Sequence, residues 1–219
     1  MSNTDTVITL TDPRSPASEA YRTLRTNLEF FSLDEPIRTL VVTSPGAEEG
    51  KSTVLANLAV TLAQGGKKVI LVDCDLRRPA QHTLFGLDNS AGLTTMMLDE
   101  TEAPLCETSV QGLRVLPAGP APPNPAELLG SRRMKDAVAA LLEQADVLLF
   151  DAPPVMAVTD ALVLAVQTDG VLLVVKAGGT KREHVQQTKE RLERVNARIV
   201  GAVLNNAPTD QALHGYYAV

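Results

Sequence analysis

One ten-residue stretch, Ser-Pro-Gly-Ala-Glu-Glu-Gly-Lys-Ser-Thr at positions 44–53, constrains the fold more than any other part of the chain. An apolar β-branched run, residues 39–43, precedes it, and a helical pattern, residues 54–63, follows it. A strand, a glycine-containing loop and Lys-Ser at the start of a helix are the context of a phosphate-binding P-loop. The usual pattern has glycine where this chain has Pro45, so an ordinary strand–turn–helix connection is the alternative.

The chemistry of a P-loop gives each part of this stretch a role. Backbone N–H groups wrap phosphate oxygens, and the helix N-terminus adds partial positive charge. Lys51 would reach the β- and γ-phosphates of ATP, and the Ser52 hydroxyl would be a Mg²⁺ ligand. Glu48 and Glu49 would repel ATP unless their carboxylates point to solvent. The predicted ATP-binding residues of the loop are Gly46, Ala47, Glu48, Glu49, Gly50, Lys51, Ser52 and Thr53.

Composition excludes several other classes of protein. The 219 residues are 44% hydrophobic and 21% charged, as expected of one large soluble domain. A net charge of -6 argues against a general nucleic-acid-binding surface. Two cysteines far apart argue against a disulfide scaffold, and three scattered histidines show no zinc spacing. Without a membrane-length apolar run or a signal-peptide core, we expect a cytosolic protein.

The order of elements predicts the architecture. Strands alternate with helices, which predicts a single-domain α/β fold with a mostly parallel, doubly wound sheet flanked by helices. We expect a loose polar arm over residues 1–14, the P-loop domain over 15–206 and a flexible, tyrosine-bearing tail over 207–219. One helix is expected from Asn124 to Leu142. Another begins at Pro16, and the residues expected on its buried stripe are Tyr21, Leu24, Leu28 and Phe31.

Acidic residues follow two of the predicted strands. Asp73 and Asp75 come after the second strand, and Asp151 comes after a later one. In open α/β sheets, ligands bind beyond the carboxyl ends of the strands, so these carboxylates should meet the P-loop there. Carboxylates beside a P-loop suit Mg²⁺, which takes oxygen ligands and keeps several waters. Any one of these residues read alone could instead be a turn residue or a helix cap.

At these residues the chain resembles the bacterial tyrosine kinases. Residues 69–77, an apolar run followed by Asp-x-Asp-x-Arg, resemble their second nucleotide motif. Residues 148–154, an apolar run followed by Asp-x-x-Pro, resemble their Walker B form. Residues 19–25 match their Glu-x-x-Arg-x-x-Arg oligomerisation motif through Glu19, Arg22 and Arg25. The resemblance extends from about residue 15 to the end, in family order.

The resemblance implies a cytosolic, ATP-dependent protein-tyrosine kinase that controls capsule or exopolysaccharide synthesis, with ATP/ADP and Mg²⁺ as cofactors. It implies that Asp73 is the base that takes the tyrosine proton. Asp75 and Asp151 would hold Mg²⁺, directly or through water. Asn205 lies where related P-loop ATPases read adenine, and a plain turn asparagine is the alternative for it.

The resemblance also implies partners. It implies a ring-shaped homo-oligomer, an octamer in the family, in which one subunit's tail enters the neighbour's site. Tyr216 and Tyr217 would be the phosphoacceptors, and Glu19, Arg22 and Arg25 would pair across subunits, with a solvated helix face as the alternative. A separate transmembrane activator would complete the site and recruit the kinase to the inner face of the plasma membrane. No nucleic-acid partner is expected.

Two other functions of the same fold remain open at this point. One is a spatial ATPase of the partition or division-site type, which usually carries a second lysine in a Lys-Gly-Gly pattern early in the loop. This chain has Pro45-Gly46-Ala47-Glu48 there. The other is a non-catalytic nucleotide switch that only binds the polysaccharide export machinery.

Overall fold

The computed structural model describes residues 7–31 and 36–208. The helices are α1 (Ile8–Thr11), α2 (Pro16–Phe31), α3 (Lys51–Gln64), α4 (Gln81–Phe85), α5 (Leu93–Asp99), α6 (Pro125–Leu129), α7 (Arg132–Leu142), α8 (Asp160–Ala165) and α9 (Arg182–Arg194). The strands are β1 (Thr39–Thr43), β2 (Val69–Asp73), β3 (Cys106–Glu107), β4 (Leu113–Leu116), β5 (Val147–Asp151), β6 (Gly170–Lys176) and β7 (Ile199–Asn205). Within these two ranges, no helix is both long and apolar enough to cross a membrane.

The strands form one seven-stranded sheet in the order β3-β4-β2-β5-β1-β6-β7. All neighbours are parallel except β3, which is short and antiparallel to β4. Parallel neighbours need crossover connections, and helices supply them here. The predicted α/β fold with a mostly parallel sheet is therefore confirmed.

The central strands carry the core. Every residue of β1 and β2 is buried, as continuous apolar runs in a doubly covered sheet predict. One face packs against α3, of which all residues from Val54 to Ala63 are buried. The other face forms a second apolar cluster around Phe150 and Ile70. Full burial of one such side chain contributes about 1.5–3 kcal/mol to the stability of the fold. Many such side chains in the central strands therefore hold the strand ends, where the candidate site lies, in a fixed position.

The N-terminal segment differs from the predicted loose arm. Residues 8–11 form α1, and Val7 is only 1% exposed. The backbone N–H and the hydroxyl of Thr9 both donate to Asn57 Oδ1 in α3, at 3.0 and 2.9 Å. Buried apolar contact and these two hydrogen bonds offset the entropy of ordering the segment. Residues 1–6 lie outside the described part of the chain.

Two helix predictions were also wrong in detail. The helix expected from Asn124 to Leu142 is broken at Gly130, and Ser131 caps the second piece by accepting a hydrogen bond from the N–H of Met134. Phe31 is 47% exposed instead of buried, and the guanidinium of Arg198 lies over its ring at 5.1 Å. The other members of the stripe, Tyr21, Leu24 and Leu28, do pack against the core.

Candidate active site

The phosphate loop connects β1 to α3. Gly50 has a φ of 87°, a left-handed conformation that glycine adopts without steric cost. A Cβ atom at this position would also collide with the side-chain amide of Asn205. Asn205 ends β7, and its Nδ2 donates to the backbone carbonyl of Glu49 at 2.9 Å. The asparagine thus contacts the phosphate loop instead of serving only the turn that follows it.

The two loop glutamates have different surroundings. Glu48 is exposed and has a φ of 61°, which is rare for a residue other than glycine. Glu49 is only 6% exposed, so its carboxylate does not point to solvent. Its carboxylate accepts from the N–H of Gly46 at 2.9 Å, the N–H of Lys176 at 3.1 Å and the hydroxyl of Thr180 at 2.7 Å. These three donors stabilise the buried charge and tie the loop to the end of β6.

Lys51 brings the predicted metal ligands together. Its Nζ lies 2.9 Å from Asp75 Oδ2, 3.1 Å from Asp151 Oδ1 and 3.1 Å from the Ser52 hydroxyl. Burial by itself lowers the pKa of this ammonium group, but the carboxylates of Asp151 and Asp75 outweigh it and raise the pKa above its usual value. The lysine is therefore fully charged, and three oxygen atoms, from α3, from the segment after β2 and from β5, converge on one cation.

This donor set fits Mg²⁺. The oxygens of Ser52, Asp75 and Asp151 are hard ligands of the kind that Mg²⁺ prefers. Across residues 7–31 and 36–208, no three His, Cys, Asp or Glu side chains form a metal cage by themselves. Mg²⁺ is usually held by one or two carboxylates together with phosphates and waters, and Asp75 and Asp151 offer two carboxylates here.

Asp73 lies beside Asp151 at the carboxyl ends of two neighbouring strands. It is completely buried and accepts hydrogen bonds from the N–H groups of Ala80 and Gln81, both at 2.9 Å. Burial, and then the charge of Asp151, raise the pKa of Asp73 from 3.8 to about 8, although those hydrogen bonds and Lys51 act in the opposite direction. A carboxylate with such a pKa exchanges protons near neutral pH, as a general base requires.

Gln81 is a candidate site residue that the sequence motifs miss. Its Nε2 donates to Asp151 Oδ2 at 2.8 Å and to the Ser52 carbonyl at 3.1 Å. It lies eight positions after Asp73, outside the Asp-x-Asp-x-Arg motif. A glutamine at the start of a short helix is unremarkable in sequence, and only its burial in the fold reveals the role.

Asp160 is a second residue that the motif analysis did not single out. It is completely buried at the start of α8 and pairs with Arg77, with 3.0 Å from Nε to Oδ2 and 3.2 Å from Nη2 to Oδ1. This bidentate pair fixes the end of the Asp-x-Asp-x-Arg motif against α8. Cys74, between the two aspartates, is buried, and burial raises the pKa of its thiol, so it is an inert packing residue.

The predicted oligomer and acceptor residues lie away from this cluster. Glu19 and Arg22 pair with each other on α2, and Arg22 Nη2 also donates to the carbonyl of Pro13 at 2.7 Å. Arg25 Nη1 donates to the Thr61 carbonyl at 2.9 Å, near the end of α3. Within one subunit, therefore, all three side chains already have partners. Tyr216 and Tyr217 lie outside the described residues.

Known proteins similar to this chain include P-loop NTPases and bacterial tyrosine kinases. A ParA family model, described as "NUBPL iron-transfer P-loop NTPase", matches residues 37–211. Tyrosine-protein kinase YwqD of Bacillus subtilis (strain 168) is 44% identical over 214 residues, which cover 96% of this chain and 90% of YwqD. Putative tyrosine-protein kinase CapB of Staphylococcus aureus is 38% identical over 207 residues, which cover 94% of this chain and 91% of CapB.

A solved structure is similar over nearly the whole chain. The crystal structure of the chimerical protein CapA2B2 superposes with a TM-score of 0.90 and 38% sequence identity, and the match covers 94% of this chain and 91% of that one. The curated relatives are named tyrosine kinases, which favours the kinase over a partition-type ATPase or a non-catalytic switch.

Proposed function

Because this chain belongs to the bacterial tyrosine kinases of the capsule and exopolysaccharide type, we propose that it phosphorylates tyrosines in the tail of a neighbouring subunit and thereby regulates polysaccharide synthesis and export. The observation that carries the proposal is the convergence of Ser52, Asp75 and Asp151 on the Lys51 ammonium group, with Asp73 directly beside Asp151. A phosphate loop, a cation site and a candidate base thus share one edge of the sheet.

The loop residues bind and orient the nucleotide. Backbone N–H groups of the loop and of the first turn of α3 would surround the phosphates, and Mg²⁺ bound with ATP would offset the charge of the transferring group. Lys51 would leave the carboxylates and contact the phosphates, since phosphate oxygens carry more negative charge. Ser52, Asp75 and Asp151 would then hold the metal. Asn205, already against the loop, would border the adenine.

Asp73 would accept the phenolic proton of the tyrosine. It must be ionised to do so, and in the nucleotide-free protein its pKa of about 8 leaves it largely protonated at neutral pH. Positive charge brought beside Asp151 lowers that pKa, because it offsets the repulsion between the two carboxylates. The base would thus become active when the nucleotide site is filled.

Oligomerisation would supply the acceptor. Tyr216 and Tyr217 would reach the site of a neighbouring subunit in a ring, an octamer by family resemblance, in which Glu19, Arg22 and Arg25 pair across subunits. A separate transmembrane activator would complete the site and hold the kinase at the inner face of the plasma membrane. Each phosphate adds nearly two negative charges, which Glu48 and the aspartates would repel, so a modified tail should leave the site.

Mixing two variants tests transfer between subunits. One subunit carries Lys51→Met, and the other is active but lacks residues 208–219. After incubation with Mg-ATP, mass spectrometry should find phosphate on the tail of the Lys51→Met subunit. If that tail stays unmodified while diluted full-length protein still phosphorylates itself, transfer occurs within one subunit and the proposal is wrong.

A further inference from the structure

Gln81 is the first residue of α4 and lies at the centre of the site. Its side chain is completely buried, and its Nε2 donates to Asp151 Oδ2 and to the Ser52 carbonyl. Its backbone N–H donates to Asp73 Oδ2 at 2.9 Å. One residue therefore contacts the candidate base, one candidate metal ligand and the backbone of another.

The orientation of the Gln81 amide follows from its neighbours. Both groups next to Nε2, the Asp151 carboxylate and the Ser52 carbonyl, are acceptors. If the amide were rotated by half a turn, Oε1 would face these two oxygens and could not hydrogen bond to them. Oε1 is buried and has no hydrogen-bond partner among the described residues. Burying an oxygen without a hydrogen bond costs free energy. The hydrogen bond from Nε2 to the Asp151 carboxylate offsets part of that cost.

The two oxygens of Asp151 have separate partners. Oδ2 accepts from Gln81 at 2.8 Å, and Oδ1 faces Lys51 Nζ at 3.1 Å. Because Oδ2 is occupied by this hydrogen bond, the Asp151 carboxylate presents only Oδ1 to the Lys51 ammonium group, the position where Mg²⁺ is proposed to bind. Since the same amide also holds the Ser52 carbonyl, the first turn of α3 and the end of β5 keep a fixed separation.

We propose that Gln81 is a positioning residue of the metal site, which holds Asp151 so that only Oδ1 faces the cation. This inference rests on the proposed function, in which Asp151 and Ser52 hold Mg²⁺. Hydrogen bonds from an outer residue to a metal ligand typically change metal affinity by about 10–100-fold. Gln81 should therefore affect metal affinity more than it affects nucleotide affinity or the stability of the fold.

The test measures binding of Mn²⁺ to the ADP-loaded full-length protein by electron paramagnetic resonance. Gln81→Leu keeps the backbone N–H that contacts Asp73 and loses the amide. We expect it to weaken Mn²⁺ binding by about tenfold or more, while ADP affinity at saturating Mn²⁺ is retained. Gln81→His, whose ring N–H can donate to the same carboxylate, should recover part of the loss.

Gln167→Leu is the matched control. Gln167 Oε1 is also buried without a hydrogen-bond partner in the described part of the chain. Gln167 Nε2 also donates twice, to the carbonyls of Leu129 and Val163, which are not candidate site residues. Unchanged Mn²⁺ affinity in Gln81→Leu would overturn the inference, as would a loss no larger than that in Gln167→Leu. If Gln81→Leu does not fold, Gln81→Asn, whose amide is too short to reach Asp151, takes its place in the comparison.

Asp151→Asn separates this inference from the proposed function. If Asp151→Asn binds Mn²⁺ as the wild type does, the assignment of the metal site itself is wrong. If Asp151→Asn loses Mn²⁺ while Gln81→Leu keeps it, only the positioning role fails.

Discussion

Replacing Asp73 by asparagine should stabilise the fold at alkaline pH while it removes transfer to tyrosine. The pKa of Asp73 rises from 3.8 to about 8 because the carboxyl is buried and lies beside Asp151. A carboxyl with a raised pKa favours the folded state in its protonated form, so its contribution is fully present below the unfolded pKa. That contribution is lost as the pH rises through the folded pKa. Wild-type stability should therefore decline between about pH 4 and pH 8.

The structure sets the size of the effect. The rise of this pKa from 3.8 to about 8 corresponds to roughly 5 kcal/mol at alkaline pH. Asparagine would gain less stability than this, because its NH₂ group would replace the oxygen of Asp73 that accepts from the N–H of Asp75 at 3.2 Å. A lost hydrogen bond costs about 1 kcal/mol, and an unpaired buried donor costs more. We expect Asp73→Asn to be more stable than wild type by roughly 2–3 kcal/mol near pH 9 and, because the lost hydrogen bond does not depend on pH, less stable by roughly 2–3 kcal/mol near pH 4.

Urea unfolding of the nucleotide-free protein at several pH values measures this difference. Asp136→Asn is the control, because the side chain of Asp136 is 71% exposed and its carboxylate lies 3.9 Å from the exposed guanidinium of Arg132. A stability difference between Asp73→Asn and wild type that is equal at acid and alkaline pH would refute the raised pKa. Normal tyrosine phosphorylation by Asp73→Asn would refute its role as the base.

Three further predictions concern the loop and α2. Lys51→Met should lose ATP-dependent phosphorylation. Without nucleotide it should bind Mn²⁺ more tightly than wild type, because the ammonium group no longer competes with the metal ion for Asp75 and Asp151; an affinity for Mn²⁺ equal to that of wild type would contradict this. Glu48→Gly should bind ATP more tightly in a fluorescence titration, since it removes an exposed negative charge from the loop, and glycine adopts the φ of 61° without steric cost; unchanged affinity would mean that this charge does not matter. Arg25→Ala should lower the free energy of unfolding by about 1–2 kcal/mol through its lost bond to Thr61. Changing Arg22 and Arg25 together to alanine should reduce the oligomer mass in light scattering; an unchanged mass would leave both residues on a solvated helix face.

Local sequence patterns predicted most of the fold. Continuous apolar runs predicted β1, β2, β5 and β6, because a strand covered on both faces needs apolar residues at every position. The loop from Ser44 to Gly50 and the aspartates at strand ends also followed from short stretches of chain. The same patterns failed at Val7, which is buried although a loose arm was predicted, and at Phe31, which is 47% exposed although a buried position was predicted. In both cases contacts with residues far away in the sequence decide the burial.

The sequence by itself determined which chemical groups reach the carboxyl edge of the sheet, because each group follows its own strand by a few residues. The tertiary structure decided how those groups meet. The strand order puts β2 next to β5, which pairs Asp73 with Asp151 and raises the pKa of Asp73. Likewise, the contact of Gln81 with Asp151 spans 70 positions and that of Glu49 with Thr180 spans 131, so neither pattern is visible in local spacing. Hydrogen bonds between such distant residues exist only once the sheet has brought their elements together, and they set the charge and geometry of the site.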